Sequence, residues 1–194
     1  MTASSDDFAA RLARLSAGAG ADEALALFDA LPAPTLAEMI GRWRGTGLPT
    51  GHPFDGMLEA LGWWGKEFAD SEIVSPLLFT RRDGALTALD PARLPVGLLV
   101  RHPRLGHLAA AQAIFRLALP LLATRRPTAR LRLIEWRGRS GAAMVYDHQP
   151  IIDVFRRVDA DTRLGLMDLR GLAAPFFFVL RRDAGPDRPA GQPL

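Results

Sequence analysis

Tyr146 is the only tyrosine of the chain, and Asp147, His148 and Asp153 follow closely behind it. In an extended strand alternate side chains share a face. Ala142, Met144 and Tyr146 therefore line up together, as do Ile151, Asp153 and Phe155 in the run that follows. A carboxylate on an otherwise apolar face is costly to bury without a partner. Asp153 is thus hydrogen-bonded, at a pocket mouth, or turned to solvent. Glu135 raises the same question beside Leu131 and Leu133, and Asp168 raises it beside Leu164 and Leu166. Several inward acids together with Tyr146 and Arg132 would form a polar patch able to orient a ligand or move protons. The alternative is a satisfied structural network or outward display. His52 lies in a loop between breakers, Thr50-Gly51-His52-Pro53-Phe54-Asp55, where functional side chains are often placed. It is equally suited to be a turn histidine bonded to nearby backbone. Asp153, Glu135 and His52 are the catalytic candidates.

Trp63-Trp64 and Phe176-Phe177-Phe178 concentrate aromatic surface. Core packing is the default for both. Neighbouring strand residues point to opposite faces, however, so one Trp, and Phe177 or a neighbour, must meet a second layer. That layer is a covering helix such as 107–123, a subunit partner, or the ligand.

Other chemistries find little support. The chain has no cysteine, which removes disulfides, thiolate metal sites and a cysteine nucleophile. Its four histidines are scattered without metal-ligand spacing, so no metal is expected. No phosphate loop and no Gly-x-Ser-x-Gly elbow occur, and no cofactor is expected. A net charge of +3 is too small to indicate nucleic acid. Lys66 is the only lysine, an arginine bias that fits a GC-rich genome. The pairs Arg81-Arg82, Arg125-Arg126, Arg156-Arg157 and Arg181-Arg182 read as solvated charges at strand ends. The N-terminus lacks the apolar core of a secretory signal. The most apolar run, 107–123, is interrupted by Gln112, Arg116 and Pro120 and is too short to span a bilayer. A soluble, cytoplasmic protein is expected.

The elements that must position these groups can be read from periodicity. Residues 8–15 and 21–31 have helical spacing, and 31–35 (Leu-Pro-Ala-Pro-Thr) resets the chain as extended. A first strand is expected over 36–43, stopped by Gly45, Gly47, Pro49 and Gly51, then a short helix over 54–61. Residues 63–69 are ambiguous. Runs 76–82 and 85–89 form a hairpin about Arg82-Asp83-Gly84, and 107–123 is an Ala/Leu-rich helix. Five strands then follow over 129–137, 142–146, 151–158, 162–169 and 175–182. Their connections are too short for anything but antiparallel neighbours. This organises the chain as an N-terminal helical segment (1–35), one β-barrel unit (36–183) and a disordered tail (184–194). Within the barrel unit, 36–95 and 125–183 are the two β halves, and 100–124 is an inserted helix.

Gly41-Arg42-Trp43-Arg44-Gly45 spells Gly-x-Trp-x-Gly. Gly47-Leu48-Pro49-Thr50-Gly51-His52-Pro53 and then Leu61-Gly62-Trp63-Trp64-Gly65-Lys66 follow it. These stretches resemble the GXWXG family of bacterial proteins. The second half, with Met144-Val145-Tyr146-Asp147, Gly165-Leu166-Met167-Asp168 and Phe176-Phe177-Phe178-Val179-Leu180, is similar to the uncharacterised domain that usually accompanies it. Gly-x-Trp also opens the first strand of lipocalin-type barrels, where the Trp plugs the closed end. The fold class expected is mainly β (α+β): an antiparallel lipocalin-like, calycin-like barrel of about eight strands, with N-terminal and inserted helices. Such a barrel can hold one small ligand. The function expected is binding of an apolar or amphipathic small molecule, with Trp43, His52, Trp63, Trp64, Arg132, Glu135, Tyr146, Asp153, Asp168 and Phe177 as its contacts. The alternatives are an enzyme using an acid/base pair in the cavity, and an interaction module forming a homodimer.

Overall fold

The computed structural model describes residues 5–18, 20–81 and 83–185. Two amphipathic helices, α1 (Ser5–Ser16) and α2 (Ala21–Ala30), lead into a 3-10 turn over 37–39 and strand β1 (Gly41–Gly47). A short helix α3 (Met57–Leu61) connects to β2 (Trp63–Phe68), and β3 (Val74–Thr80) and β4 (Leu86–Ala88) form the hairpin expected about Asp83-Gly84. Helices α4 (Val96–Arg101) and α5 (Ala109–Leu122) are followed by β5 (Ala129–Trp136), β6 (Arg139–Tyr146), β7 (Ile151–Arg157), β8 (Thr162–Leu169) and β9 (Phe176–Arg182). Most of the expected tail, 186–194, lies outside the described residues, as does Arg82.

The strands pair antiparallel in the order β2-β1-β9-β8-β7-β6-β5-β3, and β2 also pairs β3. Eight strands therefore close a lipocalin-like barrel, with β4 added to the edge of β3. The closure between β3 and β5 is brief, a single register pair at Val74↔Ala129. Beyond it β3 turns to β4 and the end of α5, where Leu89 bridges Ala123. The barrel splays open there, and α3, α4 and α5 cover that end. At the other end Trp43 is fully buried, its indole Nε1 donating to Met39 O at 2.7 Å, with Arg163 and Arg182 lying over its ring.

Two apolar layers result. Inside the barrel, Phe68, Leu131, Met144, Phe155 and Phe178 interdigitate. Outside it, Leu12, Leu27 and Phe28 of the N-terminal helices cover Ala143, Val154, Leu164, Leu166, Phe177 and Val179.

Several boundaries differ from expectation for physical reasons. The first strand starts at Gly41 and runs through Gly45, because residues 37–39 form a 3-10 turn capped by the Thr35 and Glu38 side chains. Gly45 does not break that strand: the Trp63 indole lies against it, and a β-carbon would overlap the ring. Strand β6 begins at Arg139 because Arg137 (φ 51°) and Gly138 (φ 72°) make a tight left-handed turn, which leaves Ser140 and Gly141 in the ladder. The arginine pairs are not all solvated. Arg156 is 1% exposed, stacked on Phe28 and donating to Phe155 O and Trp136 O. Arg182 donates to the carbonyls of Glu38 and Ile40.

Candidate functional site

The covered, splayed end of the barrel holds a cavity of about 520 Å³. Its walls are overwhelmingly apolar: Met57 and Leu61 of α3, Phe79 of β3, Leu99 of α4, Phe115 of α5, and Phe176 and Phe178 of β9. Leu98 and Ile114 also line it, yet are 49% and 66% exposed, so they mark an apolar mouth. Arg93 stands at the rim, paired with Asp90 and donating to Leu121 O. The inner wall carries three polar side chains from three strands: Lys66 (β2), Tyr146 (β6) and Asp153 (β7).

Strand register explains their meeting. Met144 pairs with Asp153, and Tyr146 follows Met144 by one pleat, so both polar groups point inward. Lys66 reaches the same spot through a bulge in β2. There the pairing with β3 shifts on both sides of Gly65, whose φ is +151°. A β-carbon on Gly65 would overlap the Trp43 carbonyl. The bulge lets Trp63 and Lys66 both face inward where strict alternation would send one of them out.

Lys66 Nζ lies 2.8 Å from Asp153 Oδ2, and the two side chains are 3% and 1% exposed. It also donates to Pro76 O at 3.2 Å and to the Tyr146 hydroxyl at 3.4 Å, and packs over the Phe178 ring at 5.0 Å. The ion-pair distance is short, but neither Asp153 oxygen has a partner in hydrogen-bond geometry. Burial raises the Asp153 carboxyl above its ordinary value, against the pull of Lys66. Burial, and secondarily the Asp153 charge, holds the Tyr146 phenol well above its ordinary value, so it remains a neutral donor.

Of the other expected site residues, Trp63 lines the cavity and Trp43 plugs the opposite end. His52 is buried just behind the wall: its Nδ1 accepts from Phe54 N, and its ring packs edge-on to Phe54 and Phe176. Trp64 faces outward between Arg42 and Arg44. Arg132 is also outside, paired with Glu72. Glu135 is exposed, and Asp168 is half-buried on the outer side, between the inward-facing Met167 and Leu169. Phe177 packs on Phe28, so the layer it meets is α2, not the 107–123 helix. The polar patch therefore contains one acid, and its basic member is Lys66, absent from the expected contacts. The available signal was its singularity, since the chain's only lysine alternates with Phe68. Among the described residues no group of three or more metal-ligating side chains converges. No helix there is long and apolar enough to cross a membrane.

The family model of GXWXG proteins matches residues 26–84, and that of a domain of unknown function, DUF4334, matches 127–182. A solved structure, described as the crystal structure of a protein from Thermomonospora curvata, is 33% identical. It superposes with a TM-score of 0.66 over 91% of this chain and 99% of that one. No curated protein matches the chain.

Proposed function

Because the chain belongs to the GXWXG family, a name that records a motif and not an activity, we propose its function from the cavity: it binds an apolar or amphipathic small molecule inside the barrel. The observation that carries this reading is an apolar cavity of about 520 Å³ with a single polar cluster on its inner wall. Small-molecule sites have this character, a mostly apolar concavity of roughly 300–1,000 Å³ with few convergent polar groups. The apolar body of the ligand lies between Phe79, Phe115 and Phe176, and its polar end reaches Tyr146 and Lys66. Tyr146 accepts from Lys66, which leaves the phenol proton for a ligand oxygen. A second reading, proton transfer in the same cavity, is favoured by the unpartnered Asp153 Oδ1. His52 and Glu135 have no part in it, because neither lines the cavity.

The test is a titration with the neutral fluorophore N-phenyl-1-naphthylamine. We expect saturable binding of one molecule per chain, lost in Ala118→Trp, which fills the cavity from α5. Undiminished binding by a folded Ala118→Trp protein would place the ligand elsewhere and overturn the reading.

A further inference from the structure

Lys66 is the only lysine in the chain, and it is fixed on the inner wall of an apolar cavity beside a carboxyl group. A surface role would leave it solvated; a purely structural ion pair would be expected to satisfy its acid. Here neither oxygen of the acid has a hydrogen-bond partner, while the amine lies 2.8 Å from Asp153 Oδ2 and donates to two acceptors, Pro76 O and the Tyr146 hydroxyl. We propose that Lys66 is a carbonyl-capturing amine, forming a reversible imine with an apolar aldehyde or ketone in the barrel cavity. The proposal rests on the binding reading above and names the class of its ligand.

The chemistry follows from the geometry. Two opposite charges in an apolar wall forfeit their hydration. Passing the shared proton from Nζ to Oδ2, across 2.8 Å, replaces them with a neutral amine and a neutral acid. Burial favours the protonated carboxyl in the same direction. The neutral amine then adds to the carbonyl carbon, while the Tyr146 hydroxyl donates to the carbonyl oxygen. A carbinolamine forms as the C–N bond is made and the C=O π bond broken; Tyr146 gives its proton to the oxygen and takes one from the nitrogen, ending as the neutral phenol. The Asp153 carboxyl gives its proton to the carbinolamine hydroxyl, which leaves as water. The product is a protonated imine with the Asp153 carboxylate as its counter-ion. Aldehyde, amine and acid thus become iminium, carboxylate and water, with no oxidant or reductant required. The aromatic rings of Trp63, Tyr146 and Phe178, each within about 6 Å of Nζ, flank the cation so formed.

A single-lysine chain makes the test unambiguous, because the N-terminal α-amino group is the only other primary amine. An ordinary lysine loses the competition for an aldehyde at neutral pH, since the α-amino group titrates at about 7.7–8.0 and a free lysine at about 10.4. The 194-residue chain is incubated at pH 7 with 4-dimethylaminocinnamaldehyde, reduced with borohydride, and mapped by peptide mass. We expect a red-shifted chromophore before reduction and a reduced adduct on the Lys66 peptide at least tenfold above that on the N-terminus. Lys66→Met abolishes that adduct, and Asp153→Asn, which keeps the shape but removes the acid, slows it by at least tenfold. 4-Dimethylaminocinnamyl alcohol, which cannot form an imine, separates the two readings by displacement of N-phenyl-1-naphthylamine. If alcohol and aldehyde both displace it but Lys66 stays unlabelled, the imine is wrong and the binding site stands. If neither displaces it and Lys66 stays unlabelled, both fail.

Discussion

At the scale of single residues, the Lys66–Asp153 pair sets the character of the cavity, and its energetics can be separated from its chemistry. Each partner is almost wholly buried, so removing one leaves the other without compensation. Breaking such a pair costs about 3–5 kcal/mol, whereas replacing both members by apolar groups of similar volume is often neutral. Asp153→Leu should therefore lower unfolding stability in urea by about 3 kcal/mol, as the amine is stranded among Trp63, Tyr146 and Phe178. Lys66→Met should cost less, because a carboxyl that burial already raises can take up a proton and lie buried without charge. The double variant should return to within about 1 kcal/mol of the parent, since two apolar side chains suit the rest of the wall. Strictly additive losses would show that the pair is not coupled as its 2.8 Å separation requires. A stable double variant that no longer captures a carbonyl would show the pair to be kept for function.

At the scale of elements, the informative feature is the bulge in β2. The motif glycines Gly41 and Gly45 and the later Gly65 each hold a close approach: Gly41 beside the Arg182 guanidinium, Gly45 under the Trp63 ring, Gly65 against the β1 backbone. Gly65 matters most for the site, because its φ of +151° creates the register shift that turns both Trp63 and Lys66 inward. Gly65→Ala meets both a backbone overlap and a left-handed conformation, so we expect a loss of about 2–4 kcal/mol. The same variant should lose N-phenyl-1-naphthylamine binding under conditions where it remains folded, because relaxing the overlap slides Lys66 along β3. Unchanged binding in a folded Gly65→Ala protein would show that the bulge does not position the cluster. Strand spacing made the second-half meander legible, and period-2 alternation grouped Tyr146 with Met144 and Asp153 with Phe155, but which of the two faces turns inward stayed open. The bulge was not legible. Trp64-Gly65-Lys66 carries no alternation signal, and the backbone that Gly65 packs against, at Trp43, lies a strand away.

At the scale of the whole molecule, a barrel of about eight strands was readable from the motif and the strand count, but 85–89, counted among them, is an added edge, and 63–69, left ambiguous, supplies the strand that closes it. The assignment of side chains to inner and outer layers was only half readable. Period-2 spacing says that Phe176 and Phe178 oppose Phe177, but not which pair of layers they join. Asp168 sits on a strand of the right pattern but faces outward with Leu164 and Leu166, because pattern fixes relative and not absolute orientation, whereas Glu135 shares the face of Leu131 and is exposed near the end of its strand. His52, on a loop, could not be placed by pattern at all. The structure buries it, and burial lowers its pKa from the ordinary 6.5 more strongly than Asp55 and the Ala174 backbone raise it. The consequence for the folded state has a definite sign. With the folded value depressed, the unfolded chain binds more protons than the native one in the window below 6.5, so stability rises with pH there. It is lost as the pH falls through that window toward the folded value. Asp29 and Glu38, lowered by their own hydrogen bonds, act in the same direction but only nearer their ordinary values of 3.8 and 4.5. Asp153, raised by burial, has the opposite sign, since its native state holds the extra proton. A single pH curve mixes these contributions, and a difference curve isolates His52. In His52→Asn the Asn Oδ1 can still accept from Phe54 N, as Nδ1 does in the parent. We expect the parent to lose urea stability relative to His52→Asn as the pH falls below 6.5, and the two curves to run parallel well above it. Parallel curves throughout would mean that the histidine protonates in place without penalty. The wall formed by Phe54 and Phe176 would then be open to water at the back of the cavity.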